Sequence, residues 1–105
     1  MQYLYYDFDK KYLIGYEVNH FCKGNKPHKF QYFERNGEKN KSDFEQICNN
    51  CGQIRIVLEG FNYDRASRIN YLIRDDELGF IALLKKSSEI KSNLEAKVKH
   101  TEKSK

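Results

Sequence analysis

The sequence predicts an α+β fold in which an N-terminal β-hairpin and an antiparallel sheet built around metal-ligand residues are followed by a C-terminal amphipathic helix. Three observations carry that expectation. Short runs rich in aromatic and β-branched residues, separated by polar and Gly, Asn or Pro breaks, fill the first half of the chain. Cys22, His28, Cys48 and Cys51 follow the spacing C-x5-H-x19-C-x2-C, a supply of soft ligands for one ion. From Leu78 onward, apolar residues recur every three or four positions, the period of a helix with one apolar face.

Taken in order, Gln2 to Phe8 and Tyr12 to Phe21 read as the two arms of the hairpin, with Asp9, Lys10 and Lys11 as the polar break between them. The string CKGNKPH then makes a loop that carries two candidate ligands. His28 to Arg35 reads as a strand through Phe30, Tyr32 and Phe33, and NGEKNKSD as a turn or mobile loop. Phe44 to Ile47 returns antiparallel to bring in CNNC, and Gln53 to Leu58 continues as the alternating run IRIVL. Residues 63–73 are ambiguous between helix and strand, and the alternation of Ile69, Tyr71 and Ile73 favours a last strand. The helix is expected over 75–98, capped by Asp75 and Asp76, with Leu78, Ile81, Leu84, Ile90, Leu94 and Val98 on its apolar face. Gly79 and the pair Ser87 and Ser88 weaken that helix, and 99–105 is expected to be a loose basic tail.

With 105 residues and a mean hydropathy of −0.87, residues 1–98 make one small domain whose core has reason to need a staple. An aromatic share of 14% argues that the chain packs rather than stays disordered. Three cysteines cannot all pair within one chain, and the opening residues MQYLYYDFDKK lack the apolar stretch of a secretory signal. A cytoplasmic protein with reduced thiols is therefore expected, and no run approaches the roughly 20 apolar residues of a membrane span. Charge is uneven: residues 1–84 hold 12 basic and 12 acidic residues, whereas residues 85–105 hold seven Lys against three Glu and so carry the whole formal +4.

The order of loop with ligands, strand, long turn, strand, C-x2-C-G knuckle and strand over about residues 20–58 resembles that of the zinc-ribbon fold group. The resemblance rests on CNNCG, on the upstream Cys22 and His28, and on the flanking strand patterns. It implies a structural Zn2+ held by Cys22, His28, Cys48 and Cys51, with Gly52 taking a backbone angle that a β-carbon would resist. The first half differs from the usual closely spaced pair, since five residues separate Cys22 from His28. His20 is the alternative to His28: two residues before Cys22, it shares a face with that cysteine if the stretch is extended. His28 is favoured because it ends a Gly, Asn and Pro loop at the mouth of a strand.

A redox role for CNNC is disfavoured because such motifs open a helix, and here the pair lies between two strands. A catalytic zinc would keep an open position beside an acid or base, so no enzyme activity is expected. Two binding roles are left. One is a transcription-associated or other nucleic-acid-binding module, with Lys23, Lys26, Lys29, Lys85, Lys86, Lys91, Lys97 and Lys99 contacting phosphates in nucleic acid or a polymerase or nuclease complex. The other is a protein-binding inhibitor or adaptor, of the kind a phage or mobile element would use, docking or self-associating through the C-terminal helix.

Overall fold

A computed structural model describes residues 2–18, 21–34, 41–58 and 62–103, with side chains described to residue 93. Five strands precede two helices: β1 (Gln2–Asp7), β2 (Tyr12–Ile14), β3 (Phe30–Glu34), β4 (Lys41–Cys48), β5 (Ile54–Leu58), α1 (Tyr63–Arg74) and α2 (Phe80–Lys103). The strands form one antiparallel sheet in the order β2-β1-β5-β4-β3, so the IRIVL strand lies at its centre.

Strand alternation sorts the side chains onto two faces. Leu4, opposite Ile56, and Ile47, opposite Ile54, turn to one face, where they pack with Tyr6, Leu13, Leu58, Phe80 and Leu83 in the core. On the other face Arg55 lies with its guanidinium 3.9 Å from the ring centres of both Tyr3 and Phe30. The hairpin between β1 and β2 turns where the polar break predicts. The Asp7 carboxylate accepts the Asp9 and Lys10 amides at 3.0 and 3.1 Å, and Lys11 takes the left-handed φ of 61°. The second arm is shorter than expected, since β2 ends at Ile14 rather than running to Phe21.

Residues 63–73 are helix, not the expected strand. Asn62, with extended φ and ψ of −143° and 165°, caps α1 by accepting the Arg65 amide at 2.7 Å. Ala66, Ile69 and Ile73, at three- and four-residue steps, lean on the core, so the helical period of the apolar residues outweighs the local alternation of Ile69, Tyr71 and Ile73. The helix also closes the sheet edge. Asn70 accepts the Leu13 amide at 2.7 Å and donates to the Leu13 carbonyl at 2.9 Å, which satisfies backbone groups of the short strand β2. Asn70→Ala should therefore destabilise the protein by about 1–3 kcal/mol in urea denaturation, as a lost partner for partly buried backbone groups does.

The second helix begins at Phe80 and not at residue 75. Asp75 is the C-cap of α1 and Asp76 sits at φ 56°, while the Asp76 carboxylate accepts the Ile81 amide at 3.0 Å. Only Asp76 therefore serves the start of α2. Gly79 lies in the link at φ 66° rather than inside the first turn. The buried face departs only in part from the one expected: Leu84 and Ile90 pack against the core, but Phe80, Leu83 and Ser87 are its buried residues and Ile81 is 51% exposed. Leu94 and Val98 lie outside the residues whose side chains are described. No described helix is long and apolar enough to cross a membrane.

Candidate metal centre

Two loops at one end of the sheet bring four soft ligands together. The first is the CKGN turn, in which the Cys22 amide donates to the Lys26 carbonyl at 2.7 Å and the Asn25 amide donates to the Cys22 carbonyl at 3.1 Å. Gly24 and Asn25 take φ of 81° and 60°, a left-handed pair for which these two residue types are suited. The second is the CNNCG knuckle between β4 and β5, where the Gly52 amide donates to the Cys48 carbonyl and the Cys48 amide donates to the Gln53 carbonyl, both at 2.8 Å. His28 enters from the residues just before β3, and Phe30 pairs directly with Cys48, which places the imidazole beside the knuckle.

One ligand atom from each of Cys22, His28, Cys48 and Cys51 lies within 4.8 Å of the other three. The Cys22 and Cys48 sulfurs are 3.7 Å apart, and the Cys51 sulfur is 3.2 Å from His28 Nδ1. Cys22 and Cys48 are buried and all three thiols are free of disulfides. These four residues could hold a metal ion. His20, the alternative ligand, lies outside the described residues.

The donor set fits a cation on electrostatic grounds. Burial pushes the Cys51 thiol up to about 12, a shift that its contacts with Cys48 and Cys22 reinforce against a backbone hydrogen bond from Gln53. Burial also works against ionising Cys48, but hydrogen bonds from His28 and from the backbone of Asn50, Cys51 and Lys29 outweigh it and bring Cys48 down to about 6. A cluster with one favoured thiolate resists gaining a second beside it, and a divalent ion removes that resistance by binding the thiolates it displaces protons from.

Two residues outside the ligand set complete the centre. Glu17 places a carboxylate oxygen 3.4 Å from His28 Nε2, so an imidazole that gives Nδ1 to a metal would direct its N–H at a carboxylate. Glu17→Ala should weaken metal affinity roughly 10- to 100-fold in competition with a chromogenic chelator, and an unchanged affinity would remove Glu17 from the centre. Nothing in the spacing of the sequence singles out Glu17. Ser87 of α2, fully buried, donates to the Gly52 carbonyl at 2.6 Å. The serine read as a helix weakener is the point where the helix grips the knuckle.

Among the lysines expected to meet phosphates, Lys23, Lys26 and Lys29 are exposed around the first loop, and Lys85 and Lys86 are exposed on α2. Lys86 lies 3.9 Å from Glu89. Lys91 differs from this set: its ammonium sits 3.0 Å from the ring centre of Phe8, beside a cavity of about 100 Å3 shared with His28 and Cys51. The side chains of Lys97 and Lys99 lie outside those described. No protein-family model, curated protein or solved structure matches this chain.

Proposed function

We propose that the chain is a non-catalytic zinc-binding module that uses its metal-stapled surface to bind nucleic acid or a nucleic-acid-processing complex. The observation that carries the reading is the convergence of three thiols and one imidazole, drawn from two distant loops, within 4.8 Å of one another. Tetrahedral zinc with bonds of ~2.3 Å to sulfur sets sulfurs roughly 3.8 Å apart, and Cys22 and Cys48 stand at 3.7 Å. Three sulfurs and a nitrogen suit zinc better than magnesium or calcium, which take oxygen. Four protein ligands fill a tetrahedral shell and leave no position for a reacting water, which favours a structural ion over a catalytic one.

The nucleic-acid part of the reading is supported by Lys23, Lys26 and Lys29 on the loop that wraps the centre, all exposed. Phosphate contacts of this kind gain affinity from counterion release and are strongest at low salt. Fluorescence anisotropy with labelled single-stranded and duplex oligonucleotides tests it. Binding should weaken in K23E/K26E/K29E, and the dependence of log affinity on log salt should become shallower by roughly one for each phosphate no longer neutralised. Undetectable binding at low salt would overturn this part and leave the protein-binding adaptor as the role to pursue.

A further inference from the structure

We propose that the groove between α1 and β2 is a stacking site for the bases of single-stranded nucleic acid. It rests on the nucleic-acid reading above and adds a second surface, remote in sequence from the metal loops. The groove holds about 470 Å3 and is lined by Tyr12, Tyr63, Ser67, Asn70, Tyr71 and Arg74. That volume falls within the roughly 300–1,000 Å3 of clefts that take small organic groups.

Tyr63, Ser67 and Tyr71 succeed one another at steps of four, so they share one face of α1. Tyr63 is 82% exposed and Tyr71 63% exposed. One exposed tyrosine needs no explanation, but two on the wall of one groove, opposite a third on β2, leave ring faces open to a flat partner. The walls are fixed to each other, because Asn70 clamps both backbone groups of Leu13 at 2.7 and 2.9 Å. A ligand would therefore meet a preorganised slot.

Charge selects the occupant. Of the helix arginines Arg74 lines the groove, and among the described residues it is held in no salt bridge, while Asp64 and the C-cap Asp75 stand at the two ends of the helix. Lys10 adds a cation 6.0 Å from the Tyr12 ring centre. The lining is tyrosine, hydroxyl, amide and guanidinium, with no Leu, Ile, Val or Met to receive an apolar peptide side chain. Rings for bases together with cations for phosphates describe the chemistry of a single strand, whose unstacked bases offer both faces, better than that of a duplex, whose bases are covered.

The test compares wild type, Tyr63→Ala/Tyr71→Ala and K23E/K26E/K29E for anisotropy binding of a labelled oligothymidylate and of a duplex. Both tyrosines are exposed, and an unchanged circular dichroism spectrum checks that the fold persists. The tyrosine variant should lose on the order of tenfold or more in affinity for the single strand and keep its affinity for the duplex. Ultraviolet crosslinking of the wild type to the oligothymidylate should place the adduct on Tyr63, Tyr71 or Tyr12. Equal single-strand affinity in wild type and tyrosine variant overturns the stacking site while leaving the lysine-dependent reading intact. No binding by the wild type overturns both, and capture of a protein through these tyrosines in place of the oligonucleotide overturns the stacking site.

Discussion

Replacing Cys48 or Cys51 by serine is expected to give a chain that neither retains metal nor folds. A serine hydroxyl does not ionise at neutral pH and is a poor ligand for a soft site, so one substitution opens the shell. The magnitude decides the outcome. Structural zinc contributes an apparent ~10–16 kcal/mol in small zinc domains, whereas a folded domain of ordinary size is stable by only about 5–15 kcal/mol. Here the core is a single layer of residues between one sheet face and two helices, and beyond the β3–β4 ladder the shared ligands are what tie the CKGN turn to the knuckle. Elemental analysis should find the metal gone and circular dichroism should show the sheet lost. Wild type stripped by a chelator should behave alike and recover on adding zinc. A chelated protein that stays folded would remove the stapling role, and full metal retention by Cys22→Ser would remove Cys22 from the ligand set.

Gly52→Ala should destabilise the protein by about 2–5 kcal/mol, well beyond a surface substitution. Two separate costs meet at this position. The residue has φ +86°, where a β-carbon costs ~1–2 kcal/mol. An added β-carbon would also stand 2.9 Å from both the carbonyl oxygen and the hydroxyl of Ser87, and 3.3 Å from Cγ of Lys91. Relieving that overlap pushes α2 off the knuckle and breaks the buried Ser87 bond, at a further ~1–3 kcal/mol. Gly24→Ala provides the control. Gly24 has φ +81° but no atom within 4 Å of the added carbon, so only the backbone cost of about 1–2 kcal/mol applies. Equal losses from the two substitutions in urea denaturation would show that the helix does not press on the knuckle.

Much of the fold is legible because its sheet is built from strong local signals. Alternation in IRIVL, the Asp-rich turn after β1 and the Gly52 knuckle each state their geometry in a few residues, and the four candidate ligands read from the Cys and His spacing do lie close together. Where the structure departs from the sequence reading, two local signals compete. In 63–73 the alternation of Ile69, Tyr71 and Ile73 suggests a strand, yet Asn62 is a good N-cap and Ala66, Ile69 and Ile73 give a helical face that the core can cover. In α2 the expected Leu84 and Ile90 do reach the core, but its most buried positions are Phe80, Leu83 and Ser87, so a serine takes a buried position. Its hydroxyl is tolerated there because the Gly52 carbonyl, brought from 35 residues away, receives it. Glu17 is illegible for the same reason: its contact with His28 is one that only folding creates.

The most direct measurement is X-ray absorption at the zinc edge on purified protein, paired with metal content per chain. One zinc per chain, with three sulfurs at ~2.3 Å and one nitrogen at ~2.0–2.1 Å, is the predicted result. A folded protein without stoichiometric metal, or a shell of oxygen and nitrogen alone, would contradict it.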